Sequence, residues 1–75
     1  MHYKVEGLVL RETDYKDNDK LLTILTKDQG RLTARARGVK SKTSKLKSGC
    51  QLLTYSEFSV FENRGFHTIQ EAVPL

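Results

Sequence analysis

Seven cations stand between residues 31 and 48 with no acid among them: Arg31, Arg35, Arg37, Lys40, Lys42, Lys45 and Lys47. The rest of the chain holds six basic and nine acidic residues, so the net charge of +4 hides a basic block on a mildly acidic body. Such a block has one obvious chemical use. Each lysine or arginine that neutralises a phosphate releases a condensed counterion, and planar guanidinium groups grip phosphate oxygens in pairs or stack on bases. Two plainer readings stand beside it. A lysine-rich run is often a solvated loop, and charged side chains on a strand also guard a sheet edge against aggregation.

Other chemistry finds no footing. His2 and His67 lie far apart, and no cysteine or carboxylate spacing suits a metal. Cys50 follows a glycine with nothing near it in sequence to activate a thiolate. Gly30, Gly38 and Gly49 are isolated, unlike a phosphate-cradling glycine loop. The reading is therefore a binding domain: no enzyme, no cofactor, no metal. Seventy-five residues allow one domain, residues 1–75, and a chain of this size buries only about 60% of its unfolded surface. A single cysteine fits a reducing compartment. No long apolar run opens the chain, so neither a signal peptide nor a membrane contact is expected, and the cytoplasm is the default.

The elements that must position the cations read as strands. Tyr3 to Asp14 reads as the first strand, with polar and apolar residues nearly alternating at its start and Gly7 as the expected site of a bulge or sharp bend. Lys16-Asp17-Asn18-Asp19 is a turn by composition. Lys20 to Asp28 reads as a second strand. Leu21, Leu22 and Leu25 also fit helical spacing, but the stretch is short and ends in the hairpin Asp28-Gln29-Gly30-Arg31. The third strand, Arg31 to Val39, alternates most clearly. Leu32, Ala34, Ala36 and Gly38 are expected inward, and Arg31, Thr33, Arg35, Arg37 and Val39 outward. On that strand Arg35 and Arg37 would stand about 6.6–7 Å apart on one face, close to single-strand phosphate spacing.

Lys40 to Ser48 reads as a mobile loop with room for one short helical turn. Gln51 to Glu62 and Phe66 to Val73 form the last two strands around an Asn63-Arg64-Gly65 turn, with pairing expected to stop at Pro74. Five short strands with a long connection after the third predict an all-β fold, a small five-stranded Greek-key barrel of the OB type. An SH3-like barrel is the nearest rival.

The ordered set Tyr3-Lys4-Val5-Glu6-Gly7-Leu8-Val9-Leu10-Arg11, Asp14-Tyr15, Asp19-Lys20-Leu21, Leu25 to Leu32 and Ala34-Arg35-Ala36-Arg37-Gly38-Val39, followed by the basic linker and Leu52-Leu53, resembles the N-terminal domain of the bacterial recombination mediator family RecO. The resemblance implies an OB-fold module whose helical C-terminal domain is absent from this sequence. It also implies non-catalytic work in recombinational DNA repair: binding single- and double-stranded DNA, annealing strands and helping to load RecA. RecR is the implied partner, with RecA and single-strand-binding protein reached through the full-length protein, in the bacterial cytoplasm at the nucleoid. A barrel that docks RecR, with little DNA contact of its own, is the alternative.

Within this frame the seven cations are the candidate phosphate contacts. Most aromatics should be core. Tyr15 and Phe66, beside loops, are the candidates for base stacking, which requires an exposed ring. Asp14, Asp17 and Asp19 would repel phosphate, which places DNA toward strand three and the basic linker, away from the first loop.

Overall fold

The computed structural model describes all residues from Met1 to Leu75. Five strands follow one another: β1 His2–Tyr15, β2 Asp19–Thr26, β3 Gly30–Ala36, β4 Tyr55–Asn63 and β5 Phe66–Pro74. They close into a barrel in the order β1-β2-β3-β5-β4, with β4 returning to β1. Every pairing is antiparallel except β3 with β5. This is the all-β OB-type barrel that the strand order predicts. It contains no helix, and so none long and apolar enough to cross a membrane.

β1 serves two partners. Its first half, His2 to Leu8, pairs with β4, and its second half, from Gly7 to Tyr15, pairs with β2. Just past the overlap, within the β1–β2 ladder, a bulge at Leu10 shifts the register between Val9 and Arg11. The bulge is thus not at Gly7. Gly7 is needed for space: a Cβ there would stand 2.5 Å from Ile24 Cγ2 and 2.8 Å from the Leu25 carbonyl oxygen.

Alternation fills the interior, with a second register slip at Gln70 of β5 that lets Ile69 and Ala72, three residues apart, both turn inward. Val5 and Val9, Leu22 and Ile24, Ala34 and Ala36, Phe58 and Val60, and Ile69 and Ala72 point inward from the five strands in turn. Val39, Leu46 and Cys50, from the long connection, complete the same core. The connection is therefore packed onto the barrel rather than a mobile fringe. Where one helical turn had room to form there is a single α-turn, in which the Cys50 N–H donates to the Leu46 carbonyl at 3.0 Å.

Several strand limits depart from the sequence pattern. β3 stops at Ala36, and Gly38 turns the chain at a φ of 66°. That turn swings Val39 into the core, although strict alternation had placed it outside, and leaves Arg37 beyond the strand. β4 starts at Tyr55 rather than Gln51. Leu52 and Leu53 are consequently exposed, and the Leu53 N–H reaches across to the Val9 carbonyl at 2.7 Å. Pairing also runs past Pro74, because the Leu75 N–H donates to the Tyr55 carbonyl. Alternation then directs the Pro74 nitrogen away from β4, where no donor is needed. Among the aromatics only Phe58 is fully buried; Tyr3 and Phe61 are half-buried and Tyr55 is exposed.

Gly7 gives a test whose sign is informative. Replacing a strand glycine with alanine ordinarily gains about 0.5–1 kcal/mol. At this position the new methyl meets Ile24 and the β2 backbone, so Gly7→Ala is expected to cost about 1–3 kcal/mol in urea unfolding. A stabilised variant would show that β1 and β2 are not in such close approach.

Candidate nucleic-acid interface

The outward face of β2, β3 and the start of β5 carries a groove of about 420 Å³. Its lining includes Tyr15, Leu21, Thr33, Arg35 and Phe66. Strand register explains the assembly. Leu21 on β2 pairs with Arg35 on β3, and Arg35 pairs with Thr68 on β5. One cross-strand row therefore places an aliphatic, a cationic and a hydroxyl side chain together on one face.

Two loops add the aromatic rings. Tyr15 ends β1, with Lys16 Nζ at 5.4 Å and Arg35 Cζ at 5.3 Å from its ring centre. Such distances suit cation–π contact. Phe66 begins β5 directly after a two-residue turn in which Arg64 and Gly65 have φ of 54° and 82°. Positive φ at both central positions is the type I′ geometry that suits the right-handed twist of a hairpin. The turn leaves Phe66 with 78% of its surface in solvent. Both stacking candidates thus border one groove. Behind them the Tyr3 hydroxyl and His67 Nδ1 share a hydrogen bond of 2.9 Å. Burial, and then the nearby Glu62 charge, raise the Tyr3 phenol above its usual range.

The basic stretch does not form one patch. Arg31 and Arg35 share the outward face of β3 with Thr33, but Arg37 lies past the end of the strand, so the expected three-arginine row is a pair plus a neighbour. Lys40 and Lys47 line a second groove of about 690 Å³, together with Glu12, Asp14 and Lys20. The β1–β2 hairpin divides the two grooves. Tyr15 and Leu21 face the first, whereas Glu12, Asp14 and Lys20 face the second. Lys42 and Lys45 are exposed and line neither groove.

Ion pairing divides the cations again. Arg35 is bound to Asp19, and Lys40 stands 3.6 Å from Asp14. Arg31, Arg37, Lys42, Lys45 and Lys47 have no carboxylate partner. Of the three acids expected in the first loop, only Asp17 lies in the turn itself. Asp19, at the start of β2, is bound to Arg35, Asp14, near the end of β1, stands in solvent 3.6 Å from Lys40, and Tyr15 at the end of β1 borders the groove.

Asp19 is the residue whose part the sequence concealed. Its Oδ2 accepts from Arg35 Nε at 2.8 Å and from the same guanidinium's Nη2, and its Oδ1 accepts from the Gly38 N–H at 2.7 Å. It thereby fastens the first turn to β3 and to the bend that follows. The Gly38 amide first, and then the Arg35 guanidinium, hold the Asp19 carboxyl below its ordinary value of 3.8. Partners 16 and 19 residues away leave no local spacing signal. Elsewhere Cys50 is buried, and burial pushes its thiol up to about 12. No group of three or more metal-ligating side chains comes together.

Asp19 should appear in the acid limb of stability. A carboxyl lowered in the folded state stabilises above its unfolded value, and that contribution is lost as pH falls through the lower folded value. The wild-type melting temperature is therefore expected to drop more steeply below about pH 4 than that of Asp19→Asn, which has no carboxyl to titrate. Parallel acid limbs in thermal melts followed by circular dichroism would contradict the Asp19 clip.

Known sequences match nearly the whole of this chain. The family described as "Recombination protein O N terminal" matches residues 1–75. The DNA repair protein RecO of Heliobacterium modesticaldum is 41% identical over 73 residues, covering 97% of this chain and 27% of that protein. The DNA repair protein RecO of Bacillus cereus strain AH187 is 41% identical over 71 residues, covering 95% of this chain and 29% of its own length. The chain thus spans less than a third of these relatives. A match along its full length, on a barrel with the strand order that the resemblance implied, places this chain in the RecO N-terminal domain family.

Proposed function

We propose that this domain binds nucleic acid without sequence preference, with single-stranded DNA seated in the groove bordered by Tyr15, Arg35 and Phe66. The observation that carries the reading is Phe66. A phenylalanine 78% in solvent, held by a tight turn beside a second exposed ring and a guanidinium, has little use in a core and suits base stacking. Arg31 and Arg37, which form no salt bridge and lie outside the groove lining, supply phosphate charge beside it. Lys42, Lys45 and Lys47 add charge without a fixed register.

The relatives are named DNA repair proteins. In that setting the domain serves as the DNA-binding module of a recombination mediator. Its sequence-independent grip supports strand annealing and RecA loading, with RecR as partner, at the bacterial nucleoid. Nothing in this role requires catalysis.

One observation favours the second reading, a barrel that docks RecR or another repair protein. The larger groove mixes Glu12, Asp14, Lys20, Lys40 and Lys47 around Val39, Cys50 and Leu52, a lining closer to a protein contact than to a phosphate track. The two readings use different faces of the β1–β2 hairpin, and substitutions separate them.

Base–aromatic stacking is worth about 1–3 kcal/mol per base. Phe66→Ala is therefore expected to weaken binding of an oligothymidylate about fivefold to 150-fold in fluorescence anisotropy, with little change in salt dependence. Arg31→Ala with Arg37→Ala should instead flatten the slope of log affinity against log salt by about 1.4, at about 0.7 per cation on a single strand. Unchanged affinity in Phe66→Ala would remove this groove from the interface. RecR binding without DNA binding would favour the second reading.

A further inference from the structure

We infer that Asp19 is a positioning residue that sets the charge of this groove: it neutralises Arg35 and fixes its guanidinium beside the Tyr15 ring, so Arg35 meets nucleic acid as an oriented donor and not as a free cation. The inference rests on the nucleic-acid reading above. Four observations lead to it.

The pair is built into the fold. Both Asp19 oxygens are used, Oδ2 by two N–H groups of Arg35 and Oδ1 by the Gly38 amide. The carboxylate therefore stays fixed even when a ligand approaches. Next, the two side chains differ in depth. Asp19 has 11% of its side chain in solvent and Arg35 31%, so an incoming phosphate meets the guanidinium with the carboxylate behind it. Third, the guanidinium is not used up. Arginine has five N–H donors; two go to Asp19, and three remain for phosphate oxygens or base edges. Last, Arg35 Cζ lies 5.3 Å from the Tyr15 ring centre, so the carboxylate that holds Arg35 also keeps a cation beside a candidate stacking platform.

The consequence is a division of labour. Counterion release counts net charge, and the Arg35–Asp19 pair contributes almost none. Charge-driven capture falls to Arg31, Arg37 and the unpaired lysines. Arg35 contributes geometry through the row that Leu21, Arg35 and Thr68 form across three strands.

Loss of the Asp19 charge should act on binding with a sign opposite to loss of a purely structural residue. Asp19→Asn retains an oxygen that can accept from Gly38 but discards the charge. One cation is thereby released to the groove. The slope of log affinity for oligothymidylate against log salt should steepen by about 0.7, and binding at 0.1 M salt should tighten about fivefold. A residue needed only for folding would weaken binding and leave the slope unchanged or flatter, and that result would overturn the inference.

The double variant Asp19→Asn with Arg35→Gln keeps the net charge of the pair and decides the matter even if the single variant fails to fold. Its slope should match the wild type, whereas a slope flatter by about 0.7 would show that Arg35 acts as a full cation and would overturn the proposal. Wild-type protein that binds no oligothymidylate at low salt overturns the nucleic-acid reading itself. Wild-type binding with an unmoved Asp19→Asn slope overturns only this inference.

Discussion

The barrel closes on a very short seam. β3 and β5 are parallel and register at only two positions, Arg35 with Thr68 and Ala36 with Ile69. The other four junctions are long antiparallel ladders, so this seam is where closure must be secured by other means. Asp19 supplies one of them by binding Arg35 on the seam and Gly38 just past it. Small side chains supply another. Ala34 and Ala36 line the interior of β3, and Gly49 lies so close to Ala72 that a Cβ would stand 2.6 Å from the Ala72 Cβ. The groove lies against this seam. The arginine that completes the sheet also borders the candidate binding face, so closure of the fold and shape of the site depend on the same residues.

This arrangement changes how the basic stretch works. Along the chain it is continuous, and in space the β1–β2 hairpin parts it. Arg35 lines the groove, Arg31 lies farther along the outward face of β3, Lys40 and Lys47 face the other side of the hairpin, and Arg37, Lys42 and Lys45 are exposed outside both grooves. Of its seven cations, Arg35 is bound to Asp19 and Lys40 stands 3.6 Å from the exposed Asp14. A run of charge in sequence is a count; burial and pairing decide how much of it reaches a ligand.

The strand number, the barrel class and the two hairpins at Gly30 and Gly65 were legible in the sequence, because period-two alternation and turn residues act locally. Tyr15 and Phe66 were legible as candidates for the same reason, since a ring beside a turn tends to stay exposed. The bulge at Leu10 was not. It is a slip of register between β1 and β2, and pairing between strands leaves no mark in the pattern of β1 alone. The inward turn of Val39 follows from the positive φ of Gly38, which strict alternation ignores. The meeting of Asp19 with Arg35 is a register effect between strands, and Leu21 enters the groove through the same register. Local pattern gave the parts of the site; cross-strand pairing decided which of them meet.

The central claim is that nucleic acid lies across the β2–β3–β5 face. Amide chemical shifts of the labelled domain, followed through a titration with a short oligothymidylate, test it residue by residue. The largest changes should fall on Tyr15, Leu21, Thr33, Phe66 and Thr68, with Lys42 and Lys45 little moved. Changes confined to residues 40–47 and the far side of the β1–β2 hairpin, with the Phe66 region unmoved, would contradict it.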